Sequence, residues 1–155
     1  MTTRYFIWAG LAGAFIPVMA ILNARLGKAI GSGLHAPVIA FTVSIVLACV
    51  ISLALTKSLP NLNKLTNVKP FEYLGGFIVA FYVISATLLA PKIGVANFIV
   101  CAVSSQIITS VLIDNYGLFG ATVREVSTTR IVGVLLLLIG LVITQLADTK
   151  VVEQS

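Results

Sequence analysis

Charge is what this sequence has least of. Its ten Lys and Arg and five Asp and Glu amount to 10% of 155 residues, where a soluble domain carries about 25%. The five acids are Glu72, Asp114, Glu125, Asp148 and Glu153, and none stands in the middle of an apolar run. There is one histidine, His35, and there are two cysteines, Cys49 and Cys101, far apart and inside apolar segments. Such residues assemble neither a metal-ligand cluster nor a disulfide framework. No glycine-rich loop leads to a phosphate-binding lysine, and there is no nucleophile elbow. The expectation is a protein that is not an enzyme and needs no cofactor. The basic residues are dispersed through short connections, without a basic patch or interleaved aromatics. The net charge of +5 therefore points to helix ends anchored among headgroups rather than to nucleic acid.

What fills the chain instead is apolar. Hydrophobic residues make up 59% of it and the mean hydropathy is +1.09. A soluble globule of this length cannot hide that much, because it must cover itself with polar groups. A bilayer-spanning helix needs about 20 apolar residues, and five segments come close: 5–22, 37–55, 71–89, 95–113 and 131–147. The expectation is an all-α integral membrane protein, one five-helix transmembrane domain over 1–147, with a mobile tail at 148–155. Asn23-Ala24-Arg25-Leu26 after the first run lacks a small-x-small cleavage signature, so no cleaved leader is expected.

Tyr5 and Trp8 sit near one end of the first segment, where interfacial aromatics belong. Pro17 is expected to kink it. Ala9, Gly10, Gly13 and Ala14 form two overlapping small-xxx-small pairs suited to close helix packing. The connection 57–70 holds Lys57, Lys64 and Lys69 and two prolines, and Pro91-Lys92 is expected to force a tight turn before the fourth segment. The fifth segment is almost wholly aliphatic, with Gly133 and Gly140 seven apart on one face, the pattern of a packing or dimer seam.

The fourth segment is the exception. Within an apolar run it carries Asn97, Ser104, Ser105, Gln106, Thr109 and Ser110, and it ends at Asp114. Each hydrogen-bonding group left unpaired in lipid costs free energy, so this helix is expected to face protein or a water-filled cavity. At 100° per residue, Asn97, Cys101, Ser104 and Ser105 share one face, while Gln106, Thr109 and Ser110 look another way. Two readings of Gln106 stay open. Its amide either glues helices together, worth about 1 kcal/mol, or lines a solute site as donor and acceptor. Tyr82 and Ser85 of the third segment are further candidates for solute contact.

Five spans leave the termini on opposite sides. The N-terminal side then holds Arg4, Lys57, Lys64, Lys69, Arg124 and Arg130, and the other side Arg25, Lys28, Lys92 and Lys150. Six against four is a weak bias, so dual insertion and a cytoplasmic N-terminus both remain open. Arg25 and Asp114 fall on opposite membrane faces of one chain, so they are either two separate interfacial charges or a pair formed across an antiparallel dimer.

Pro17 with Asn23-Ala24-Arg25-Leu26-Gly27, Gly75-Gly76, Pro91-Lys92-Ile93-Gly94, Ser105-Gln106 and Leu112-Ile113-Asp114-x-x-Gly117 resemble, in order and spacing, the bacterial YdcZ family. That family lies within the drug/metabolite transporter superfamily. The resemblance covers all five spans. It implies a five-helix protein of the bacterial inner membrane, similar to one half of a ten-helix carrier and working as an antiparallel or paired dimer. The chain departs from the family at Met19, where glutamine is frequent. It also has no first-helix glutamate of the kind that small multidrug exporters use for proton exchange, so that mechanism does not carry over.

The function expected is a small-solute transporter working by alternating access as a dual-topology homodimer, or with a homologous partner subunit. Substrate binding would fall to Gln106, Ser105, Asn97, Tyr82 and Ser85, and interface contacts to Arg25, Asp114, Gly133 and Gly140. A channel and a non-transporting scaffold are the alternatives.

Overall fold

In the computed structural model, residues 2–152 are described except 59, 62, 64, 66 and 67, without the side chains of Thr2 and 145–152. Five α-helices fall on the five apolar segments: α1 Thr2–Ala29, α2 His35–Thr56, α3 Leu74–Ile93, α4 Val95–Tyr116 and α5 Thr128–Val152. At 1.5 Å per residue even the shortest, α3, rises about 30 Å, the thickness of a bilayer's hydrocarbon core. By length and composition α1, α2 and α4, together with α3 and its preceding turn (Pro70–Ile93), are candidate spans. The described apolar part of α5, Thr128–Thr144, is shorter. The chain divides into two compact units, residues up to Val95 and residues from Ala96 onward.

The first unit is a three-helix packing in which α1 meets both α2 and α3, and α2 meets α3. Its buried positions are small. Ala20, Asn23 and Gly27 on α1, and Val83, Ala86, Thr87 and Ala90 on α3, recur at three- and four-residue spacing. That is the signature of one helix face, and small residues there let two backbones approach closely. Ala36 and Pro37 in the first turn of α2 are also buried. The remaining surface of the three helices is apolar and exposed, with Trp8, Phe15, Val43, Leu55 and Phe77 among the most open side chains. Without a hydrophobic force between helices in lipid, that exposure carries no penalty.

Three local expectations are corrected. The first span does not end at Leu22, because α1 continues through Asn23 to Ala29. The charges of Arg25 and Lys28 occupy exposed positions while Asn23 and Gly27 stay on the packed face. Nor does Pro91 make the turn before the fourth segment. It lies inside α3, and the helix breaks at Gly94, with φ 88° and ψ 143°. Proline removes the N–H that would have donated to the carbonyl four residues back, yet the helix runs on for two residues beyond it and ends where the positive φ suits glycine. The start of the third segment is a 3₁₀ turn, Pro70–Tyr73, and the Tyr73 hydroxyl donates to the Leu65 carbonyl at 3.1 Å.

In the second unit, α4 and α5 share no packed seam among the described residues. They are tied instead at the connection 117–127. Gly117 and Phe119 take left-handed conformations there, with φ 59° and 57°. α5 is helical through Val152, so the expected tail is helical over 148–152, and 153–155 lie outside the described residues.

Candidate functional site

Polar groups inside the spans fall into two classes. Most hydroxyls donate to a carbonyl of their own helix: Thr42 to Val38, Ser44 to Ala40, Thr56 to Ser52 and Thr87 to Val83. α4 does the same with Ser104 to Val100 (2.7 Å), Ser105 to Cys101 (3.0 Å) and Ser110 to Ile107 (2.9 Å). A back-bonded hydroxyl has no donor left unsatisfied, so a serine-rich helix can face hydrocarbon. The inference of a cavity from the sheer number of polar residues in α4 is corrected accordingly. It rests on the groups that the helix cannot satisfy itself.

Gln106 is the largest of these. It stands at the midpoint of the 22-residue α4, about 16 Å from either end, and its side chain is exposed. It makes no hydrogen bond among the described residues. A carboxamide has two donors and an acceptor, and each one unpaired in hydrocarbon costs several kcal/mol. Thr109, one turn closer to the end, is exposed and likewise unbonded. Asn97 is half-buried and has a partner within the chain. Ser105 offers only its lone pairs. On α3, Tyr82 is half-buried and partnered, while Ser85 is half-buried without a side-chain hydrogen bond among the described residues.

The residues expected at an interface also have definite surroundings. An alanine-sized group added at Gly133 or Gly140 would meet nothing within 4 Å. Arg25 is exposed in the last two turns of α1. Asp114 forms an ion pair with Arg130 of the same chain, a pairing the sequence did not announce. Its backbone carbonyl accepts from the Arg124 N–H at 2.8 Å, so the turn after α4 is folded around it.

One group was missed by sequence reasoning. Asn23 is 6% exposed in the α1 face that packs in the first unit, and its Nδ2 has no hydrogen-bond partner among the described residues. The signal was available: Ala20, Asn23 and Gly27 share one face at helical spacing, and reading Asn23 as the start of a loop concealed it.

Long apolar helices with exposed flanks and self-satisfied hydroxyls define a multi-pass membrane protein. Residues 4–143 match the family described as "Putative inner membrane exporter, YdcZ". The chain belongs to the YdcZ family, and it is a multi-pass transport protein of the inner membrane. No curated protein and no solved structure matches it.

Proposed function

We propose that the chain moves a small solute across the inner membrane by alternating access, as a homodimer whose two copies insert in opposite orientations. The observation that carries this reading is Gln106, an exposed carboxamide that stands halfway along a membrane-length helix and bonds nothing among the described residues. Lipid cannot answer it and nothing among the described residues does, which supports a second subunit or a solvated path. A solute passing there meets a donor and an acceptor from Gln106 and lone pairs from Ser105. Asn97 on α4, and Tyr82 and Ser85 on α3, are the other solute contacts in this reading.

Inverted repeats around a midplane site are a recurring carrier architecture, and a five-helix chain obtains its second repeat by pairing upside down. The glycine stripe of Gly133 and Gly140, open in the chain, supplies the seam. In such a pair Arg25 of one copy reaches the membrane face of Asp114 in the other, where it adds a second cation to the carboxylate that Arg130 already holds.

The test is orientation. With Cys49 and Cys101, both free and exposed, replaced by alanine, a single cysteine is introduced near either terminus and labelled from each side of intact cells. Accessibility of each position from both sides supports the dual-topology dimer. A single orientation removes the antiparallel homodimer, and solute flux that neither saturates nor shows counter-transport removes alternating access.

A further inference from the structure

The first unit carries a second polar feature, unconnected with Gln106, where α1 and α3 end. Two adjoining clefts open there, of about 190 and 350 Å³, sharing Ala24, Lys28 and Pro91. The smaller is walled almost wholly by apolar atoms, the stems of Arg25 and Lys28 among them, whereas Lys28 and Lys92 line the larger, more polar one together with Gly27, Ser32, Gly33 and Thr87. We propose that the larger cleft forms a binding site for one anionic group, a carboxylate or phosphate.

The charge balance is the first argument. Lys28 and Lys92 lie in the last turns of α1 and α3, where they complement helix dipoles. Each helix end amounts to about half a negative charge. Two ends therefore offset about one of the two lysines' charges and leave an excess of about one. Among the described residues no acid lines the cleft. The one acid in residues 1–95 is Glu72, beyond the opposite end of α3. That is about 30 Å away, three or more screening lengths at physiological salt.

The second argument is the set of uncommitted donors. The turn between α1 and α2 is fixed by Ser32 N–H to Gly27 C=O at 2.9 Å and His35 N–H to Ser32 C=O at 3.3 Å. These bonds leave the Ser32 hydroxyl and the Gly33 N–H without a hydrogen-bond acceptor among the described residues. The turn is pressed against both helices. A Cβ at Gly27 would stand 3.0 Å from the Gly33 Cα, and one at Gly33 would stand 2.9 Å from Leu88 Cδ2. The donors are thus held in place rather than carried on a loose loop. A larger cleft of 350 Å³ falls within the range of small-ligand pockets. The same chemistry is offered by a free organic anion and by a phospholipid headgroup.

The test uses purified full-length protein and inorganic phosphate, exchanged for chloride at constant ionic strength, with the unfolding temperature as readout. Wild type in neutral detergent is expected to be stabilised saturably. Lys28→Gln/Lys92→Gln should need at least tenfold more phosphate, while Lys28→Arg/Lys92→Arg keeps the response. Identical behaviour in phosphate and chloride, or an unchanged response in the glutamine variant, overturns the site. Should that double variant fail to fold, each single glutamine change carries the same comparison.

Nanodiscs distinguish the source. An equal phosphate response in phosphatidylcholine with and without phosphatidylglycerol assigns the site to a soluble anion. A response abolished by phosphatidylglycerol assigns it to a headgroup. The measurement involves no transport, so its failure leaves the role of Gln106 untouched, and failure of the transport reading leaves this site standing.

Discussion

Asp114 and Arg130 approach to 2.5 Å, each about one-third exposed, and each stands at the unfavourable end of its own helix. Asp114 occupies the last turn of α4 and Arg130 the first turn of α5. The helix dipole disfavours an anion at a C-terminus and a cation at an N-terminus by several tenths of a kcal/mol. Paired, the two charges relieve one another, and they close the connection between the helices. The Ser127 hydroxyl completes the corner by accepting from the Arg130 N–H at 3.2 Å.

Removing either charge should therefore expose the other to its dipole. Asp114→Asn and Arg130→Gln are each expected to lower stability by about 0.5–1 kcal/mol. The double change should cost less than the sum. A double-mutant cycle on unfolding temperature measures the coupling, and strict additivity at low salt would show that the pair does not form in the bilayer.

Gln106→Leu should separate folding from function. An apolar side chain at the centre of α4 removes an unsatisfied amide, so expression and unfolding temperature should hold or rise. Solute flux in proteoliposomes should fall at least tenfold. Retained flux would assign Gln106 to packing alone.

Asn23→Ala probes the buried amide of α1. A buried donor without a partner costs about 1–3 kcal/mol, so alanine is expected to leave the unfolding temperature unchanged or raise it. A drop equivalent to more than 2 kcal/mol would mean that Nδ2 has a partner in the membrane.

Gly117→Ala meets two penalties. A left-handed φ of 59° costs a Cβ-bearing residue about 1–2 kcal/mol, and the new Cβ would stand 2.7 Å from Val123 Cγ2. A loss of about 1–3 kcal/mol is expected. Val123→Ala in the same chain should return the steric part and leave the backbone part, as read from the paired unfolding temperatures.

Gly133→Leu and Gly140→Leu test the proposed seam. Since both glycines are open within the chain, the substitutions should leave the monomer's helix content intact. They should abolish cross-linked dimer. Persistence of dimer in both would move the interface elsewhere.

The positions of the five helices were legible because each required an unbroken apolar run, and the segments 71–89 and 95–113 locate α3 and α4 closely. The ends were less legible. α1 overran its expected limit because a helix with two faces can carry Arg25 and Lys28 outward while burying Asn23 and Gly27, which a hydropathy average cannot see. The break at Gly94 was misplaced onto Pro91 because proline is the louder signal, although the helix absorbs the one bond it loses there and ends only where a glycine permits a positive φ. The Asp114–Arg130 pair spans sixteen residues and depends on two left-handed residues in the intervening turn, which no pairwise spacing rule anticipates. The serines of α4 were read by their polarity, when their geometry matters more.

That geometry has a mechanical consequence. Ser104, Ser105 and Ser110 carry their acceptors with them, because each bond closes within one turn of the helix. Rotating or tilting α4 leaves those bonds intact, so they resist no movement and signal none. Between Asn97 and the Asp114–Arg130 corner, the groups that can hold the helix against its surroundings are Gln106 and Thr109, which bond nothing among the described residues. The helix is smooth along its hydroxyls, anchored at the Asp114 corner, and open to capture at its middle.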